Sequence, residues 1–418
     1  MKYDIIIIGG GASGLCTAIN AKTDKNSVLV LEHNDRVGKK ILSTGNGHCN
    51  LTNSYACANM LEYTPEGLYP YMTSGDPSFA FDCISSFGME ETINFFAEAG
   101  LICTNSNGYI YPNSMQASTV LDILRFRCED LGIDIVTDYH INELNKGNGL
   151  FHIDFKYSCE KLVIATGGLS GNNTGNDGSG YKYAESFGHT IVKTVPALCG
   201  IKCSDTYFKS LKGTRVDGRL TFTSGSKEIS ICGNLQFTEY GISGIPAFQV
   251  SSIIGYMLAN GEHPEIMIDF VPDFSIYDLT AILLKNYENL IKDKNILHPD
   301  SRLLLGLLNK NIIPVILREY IQKLSINKPV DEQAMCLSLA KIMKMFVAHP
   351  VETMPFSNAQ TTAGGVYTKE IDPKTMQSKL VDNLYFAGEV IDVNGICGGY
   401  NLQWAWTTGH ICGNALKK

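Results

Sequence analysis

At 418 residues the chain is too long for one ordinary domain and suits two or three, and its 44% hydrophobic content is enough to bury a large core, so extensive disorder is not expected. The formal charge of −8 and the lack of any Lys/Arg-rich run argue against a surface built to hold nucleic acid or an anionic membrane, and neither is expected as a partner. Composition leaves the oligomeric state open.

The first residues, Met1 to Ile8, carry a short apolar run unlike the core of an export signal, and no stretch approaches the ~18 apolar residues a spanning helix needs. A cytoplasmic protein is expected. Thirteen cysteines are scattered from Cys16 to Cys412 with no CxxC pair, which signals neither a disulfide framework nor a zinc site; no metal is expected.

In chain order, Asp4–Ile8 reads as a buried strand, Gly9 to Gly14 as a tight turn, and the residues up to Lys22 as a helix. Ser27–Leu31 is a second strand, completing a βαβ unit. Long Gly/Ser/Asn-rich loops cover Leu42–Asn53 and Gly167–Gly180. From about Val192 short alternating runs, Arg219–Ile231 and Asn234–Thr238, are broken by Ser224-Gly225-Ser226 and predict β-hairpins. Helical spacing then dominates from Asp278 to about Lys344, through Leu283, Leu284, Leu290 and Ile291 and again through Leu303–Leu308. After Pro350 come Gly-rich loops, a strand at Asn383–Ala387 and a last helix from about Leu402. The boundaries expected are 1–191 and 350–418 for a split nucleotide-binding domain, 192–275 for a β-rich insert and 276–349 for a helical insert.

Gly9-x-Gly11-x-x-Gly14 lies between strand and helix, where the first glycine permits the turn, the second lets a pyrophosphate approach the backbone and the third lets helix and strand pack closely. Ala12 and Ser13 then open the helix whose N–H groups face the phosphates. Eighteen positions after Gly14, Glu32 ends the second strand and can accept from both ribose hydroxyls of an adenosine while repelling a 2′-phosphate. FAD and NAD both satisfy that pattern. Two further segments favour FAD: Lys161–Gly168, a strand ending in Thr166-Gly167-Gly168, and Leu384–Glu389, a strand ending in Gly388-Glu389 whose carboxylate suits the ribitol, which NAD lacks.

Two longer motifs, Gly38–Asn53 (GKKILSTGNGHCNLTN) and Asp392–Trp406 (DVNGICGGYNLQWAW), resemble the YhiN/BaiN-like family of bacterial NAD(P)/FAD-dependent oxidoreductases. Phe237–Gly244 and Gly306–Lys310 also look like that family, so the likeness spans nearly the whole chain. His48 departs from it where Arg is usual, and Cys397 where Thr is commoner. The resemblance implies an α/β architecture: a split Rossmann-type FAD-binding domain with a β-barrel-like insert and a helical insert. It also implies NAD(P)H-dependent reduction of an activated C=C bond in a small organic substrate, a 3-oxo bile-acid or steroid-like enone.

With FAD carrying the hydride chemistry, the Ser43–Asn53 loop (Ser43, Gly45, Asn46, Cys49, Asn50) and the Gly395–Gln403 segment (Gly399, Tyr400, Asn401, Leu402) are expected to bracket the isoalloxazine. Helix N–H groups near Gly399–Leu402 can stabilise charge at the flavin N1/O2 edge. Lys40 reads equally well as a cofactor contact or a solvated loop lysine, and Cys49 and Cys397 read better as small buried residues than as a redox pair. Candidate proton donors are Tyr240, His48 and His349, and Trp404 and Trp406 read as packing. Tyr240 is the residue of the β-rich insert expected over the flavin's reactive end. No second strand-GxGxxG-helix unit is visible, so NAD(P)H is expected as a transient donor. Two other readings stay open: a flavin enzyme acting on RNA, and a flavin-binding redox sensor with little turnover.

Overall fold

Lys2–Ile8 is central to a parallel sheet because its apolar residues are covered on both faces, and the neighbouring Val28–Leu31, with no polar residue at all, is buried throughout for the same reason. In this computed structural model, which describes residues 1–55, 64, 68–171, 174–291, 301–322 and 331–417, the sheet runs Asp134–Val136, Val28–Leu31, Lys2–Ile8, Tyr157–Ile164. Leu384–Phe386 adds in parallel to the far half of Tyr157–Ile164, while Leu150–Ile153 adds antiparallel to its near half. The last strand thus comes from the C-terminal segment. The chain divides into two units, one from the described residues of Met1–Thr64, Tyr69–Ala197 and Pro355–Lys418, the other from those of Pro65–Leu68 and Leu198–Met354.

In the first unit, helix Ala12–Ala21 follows the glycine turn and helix Tyr400–Leu416 packs along it, with Cys16 Sγ on the Trp406 carbonyl. Two small sheets complete it near the loops: Thr52–Asn53 with the hairpin Cys103–Ser106/Tyr109–Pro112, and Tyr71–Met72 with Asn394–Gly395. A strand lies where Gly-rich loops were expected, since Thr361–Val366 is fully buried and pairs with Ile191–Ala197.

The second unit is a seven-stranded antiparallel sheet in the order Phe346–Ala348, Ile266–Asp269, Arg215–Ser224, Lys227–Thr238, Gly241–Gly244, Ile201–Cys203, Pro350–Thr353. Its two outermost strands are separated in the chain by His349 alone, so the sheet curls back on itself. Helix Ile245–Ala259 lies inside the segment read as β-rich; it is apolar nearly all round, so no stripe marks it as a helix. Helices Ile276–Ile291, Ile313–Gln322 and Glu332–Lys344 occupy the helical stretch, of which 292–300 and 323–330 lie outside the described residues. Leu303–Leu308 is not an α-helix but a short 3-10 turn at Ser301–Leu303 followed by turns, in line with Gly306 in its middle. Among the described residues no helix is long and apolar enough to cross a membrane.

Candidate flavin site

The three segments singled out from the sequence meet in space. Gly9 opens the first turn against the Ala165 carbonyl, and its N–H donates to Leu31 O at 2.8 Å. Gly14 is pressed so closely on the Gly9 carbonyl that a side chain there would overlap it. Gly11 is the exception. It is the N-cap of helix Ala12–Ala21, and among the described residues it has no side-chain cap and a Cβ on it would touch nothing within 4 Å. An uncapped helix N-terminus behind an open glycine is the cradle a pyrophosphate needs.

Glu32 is buried and its carboxylate is held from the protein side: Gly10 N–H donates to one oxygen at 2.8 Å, Asn34 N–H and Nδ2 to the other at 2.9 and 2.7 Å. A carboxylate has about four lone-pair sites, so acceptor capacity remains for ribose hydroxyls.

Ser13 Oγ donates to Ala387 O at 3.2 Å, which puts the third segment on the first, and Gly388 packs on that same serine. Glu389 follows. One carboxylate oxygen accepts from Thr362 N–H at 2.9 Å and the other pairs with Lys40 Nζ at 2.6 Å. Lys40 is therefore not a freely solvated loop lysine; it is tied to the residue read as the ribitol ligand. Thr362 Oγ1 also accepts from Leu169 N–H at 2.8 Å and lies against Gly168, which brings the Thr166-Gly167-Gly168 loop to the same place. The sequence reading missed Thr362, because a threonine in a Gly-rich stretch carries no signal of a partner so far away in the chain.

The two flavin loops also touch. Gly399, at φ +92°, is the N-cap of helix Tyr400–Leu416 and has no side-chain cap; only a glycine holds that left-handed turn without strain. A Cβ on it would lie 3.0 Å from Asn50 Oδ1. That oxygen is buried with no hydrogen-bond partner among the described residues, as are Thr52 Oγ1 and Asn394 Nδ2. Orphaned buried polar atoms beside an uncapped helix N-terminus fit a polar ring edge such as that of a flavin. Asn401 clamps the loop, its amide bonding Gly395 N–H at 2.9 Å and Gly395 O at 2.8 Å. Asn53 Nδ2 donates to Gly398 O. Trp404 and Trp406 are fully buried, their indole N–H groups on Gly388 O and Leu51 O. They are packing residues.

Within the first loop, Ser43 Oγ donates to Lys40 O at 2.9 Å, Gly45 and Asn46 both take φ +55°, and Cys49 is buried. Burial pushes the Cys49 and Cys397 thiols up to about 12, which keeps both as neutral thiols and disfavours a redox role. His48 is exposed, and its Nδ1 donates to Met115 O at 2.7 Å, leaving Nε2 as the acceptor of the neutral ring. As a proton donor it must be the imidazolium. His349, another candidate donor, is the corner of the curled sheet, with Nδ1 on Asp205 at 2.8 Å. Tyr240 lies in the turn before Gly241–Gly244, its phenol beside Gly200 and its carbonyl accepting from Cys203 N–H at 2.8 Å.

Asp392 opens the second motif. Its buried carboxylate accepts from Ser74 N–H at 2.9 Å, Ser74 Oγ and Thr73 Oγ1, and burial raises its pKa above the usual range. It ties residues 73–74 to the flavin motif.

Compared with known protein families, residues 3–415 match the family described as the HI0933-like protein Rossmann domain. The chain belongs to this family. A relative, the 3-dehydro-bile acid delta(4,6)-reductase of Clostridium scindens, is 38% identical over 420 residues, 99% of this chain and 98% of that one. The ribosomal RNA dihydrouridine synthase of Escherichia coli is 30% identical over 424 residues, again 99% and 98% of the two chains. Among solved structures, a 3-ketosteroid delta1-dehydrogenase from Sterolibacterium denitrificans is similar at 11% identity and a TM-score of 0.50, covering 100% of this chain and 99% of that one, a likeness of fold alone. The family and the full-length relatives make the chain an FAD-dependent oxidoreductase. They also reopen one question. Net charge pointed away from nucleic acid, yet full-length relatives carry the name of an RNA-modifying enzyme, so RNA is not excluded as a substrate.

Proposed function

We propose that this chain reduces a carbon–carbon double bond conjugated to a carbonyl group in a small 3-oxo ring substrate of bile-acid or steroid type, with NAD(P)H as transient electron donor. The observation that carries the reading is the 38% identity, over almost the full length of both chains, to a bile-acid delta(4,6)-reductase. The names of the relatives support the reaction type as well, because the double bond lost in forming dihydrouridine is also conjugated to a carbonyl.

FAD would be held by Gly11 and the uncapped helix behind it at the pyrophosphate, by Glu32 at the ribose, by Glu389 with Lys40 at the ribitol, and by Asn50 and the Gly399–Leu402 turn at the ring. Bound there and reduced, it supplies a hydride equivalent. The protein's own share is to fix the substrate, keep water away and deliver a proton to the carbon next to the carbonyl. Tyr240 is the proposed donor as a neutral phenol and His48 the second choice as an imidazolium.

RNA is the second reading, favoured by the two dihydrouridine synthases. Anaerobic mixing of the yellow protein with NADH and with NADPH, followed by reoxidation with a Δ4-3-oxosteroid or with unmodified ribosomal RNA, separates the two. Bleaching by a nicotinamide and rapid reoxidation by the steroid is the expected result. Reoxidation by RNA alone would replace the substrate, and inertness to both nicotinamides would overturn the donor.

A further inference from the structure

The hairpin Cys103–Ser106/Tyr109–Pro112 was not read as part of the site, yet it joins both flavin loops. It continues the strand Thr52–Asn53, with Thr52 opposite Ile110 and Asn53 opposite Tyr109, and Leu51 N–H donates to Ile110 O at 2.9 Å. Along a strand alternate side chains share a face. Ile110 points into the core, at 4% exposure, so Tyr109 and Tyr111 share the other side. The edge of Tyr109 lies 2.8 Å from where a Cβ on Gly398 would be, and the edge of Tyr111 lies 3.7 Å from the same point on Gly45. The pair thus has one ring on each loop, Tyr111 against the first and Tyr109 against the second, and Tyr109 stays 43% exposed.

We propose that Tyr109 and Tyr111 form the face that receives a planar unsaturated carbonyl compound, their hydroxyls donating hydrogen bonds to its carbonyl oxygen. This rests on the reading of the chain as an enone reductase. Aromatic rings suit a flat conjugated ligand, and their hydroxyls give the one polar contact that orients it. Reduction would take a hydride supplied by bound FAD and a proton from the general acid, and the carbonyl oxygen would gain negative charge on the way. Phenol donors aimed at that oxygen stabilise it and keep their own protons throughout. Burial raises the Tyr111 pKa, with Tyr109 beside it acting in the same direction, so that phenol remains a donor at neutral pH.

Binding without turnover is readable as a shift of the flavin absorption when the FAD-loaded protein is titrated with 4-androstene-3,17-dione in the absence of NAD(P)H. Tyr109→Phe and Tyr111→Phe keep the rings and are expected to retain full flavin content and melting temperature while weakening Kd about tenfold each. The matching 3-deoxy steroid should bind wild type and variants alike, which a merely structural role of the hydroxyls would not produce. Kd values within twofold of wild type in both variants would overturn the assignment while the enone reading stands. A wild-type spectrum unmoved by the dione would overturn that reading, and this proposal with it.

Discussion

Two glycine turns open two helices in the first unit, and their surroundings are opposite. Both lack a side-chain cap, so both offer bare N–H groups at a positive helix end. Around Gly11 a Cβ would touch none of the described residues, whereas Gly398 and Gly399 are ringed by Tyr109, Asn53, Asn50 and Thr52. The open turn suits a mobile, fully charged phosphate that brings its own contacts. The crowded turn suits a rigid ring whose edge must be met by fixed partners, one of which, Asn50 Oδ1, has no hydrogen-bond partner among the described residues.

The largest expected effect comes from breaking the geometry of the first turn. Gly14→Ala pushes a methyl into the Gly9 carbonyl and should cost about 3 kcal/mol of stability, with loss of bound flavin, read by thermal melts and the visible spectrum. Glu32→Ala removes the ribose acceptor and also the acceptor of Gly10 N–H and of the Asn34 amides, and FAD affinity should fall about tenfold; an unchanged Kd would remove Glu32 from the site. Gly399→Ala tests the crowded turn. The methyl strains a left-handed residue and crowds Asn50, so the flavin spectrum should shift with a stability loss of about 1–2 kcal/mol. Lys40→Met should be milder, a few-fold loss of FAD affinity, because its pair with Glu389 is only partly buried.

A pH effect lies outside both turns and is smaller still. His410, stacked on Phe87 with ring centroids 4.0 Å apart, is pushed down to about 4 by burial, and His189 is lowered by burial despite its bond to Glu370. The unfolded chain binds these protons more readily, so stability is full above the ordinary histidine value of 6.5 and declines as pH falls from there towards 4. Melting temperatures across that range should drop, and the drop should shrink in His410→Gln.

The first turn was legible in the sequence because everything it needs is local: strand, three glycines, helix and an acid at fixed spacing. The second was legible only through the family likeness of Asp392–Trp406, since a Gly-Gly pair alone marks any sharp turn. Thr362 and Asp392, which the fold brings to these loops, and the proposed Tyr109/Tyr111 face were not legible. Each owes its position to pairing with segments far off in the chain, which no periodicity records. Helix Ile245–Ala259 was missed for a different reason: a helix covered on most sides has no polar face to reveal its period.

The central claim is that the two turns hold opposite ends of one non-covalently bound FAD. Acid precipitation of the purified yellow protein, with chromatography of the supernatant, tests it directly. The account predicts a colourless pellet and close to one FAD per chain in solution; colour retained on the polypeptide, or FMN in place of FAD, would contradict it.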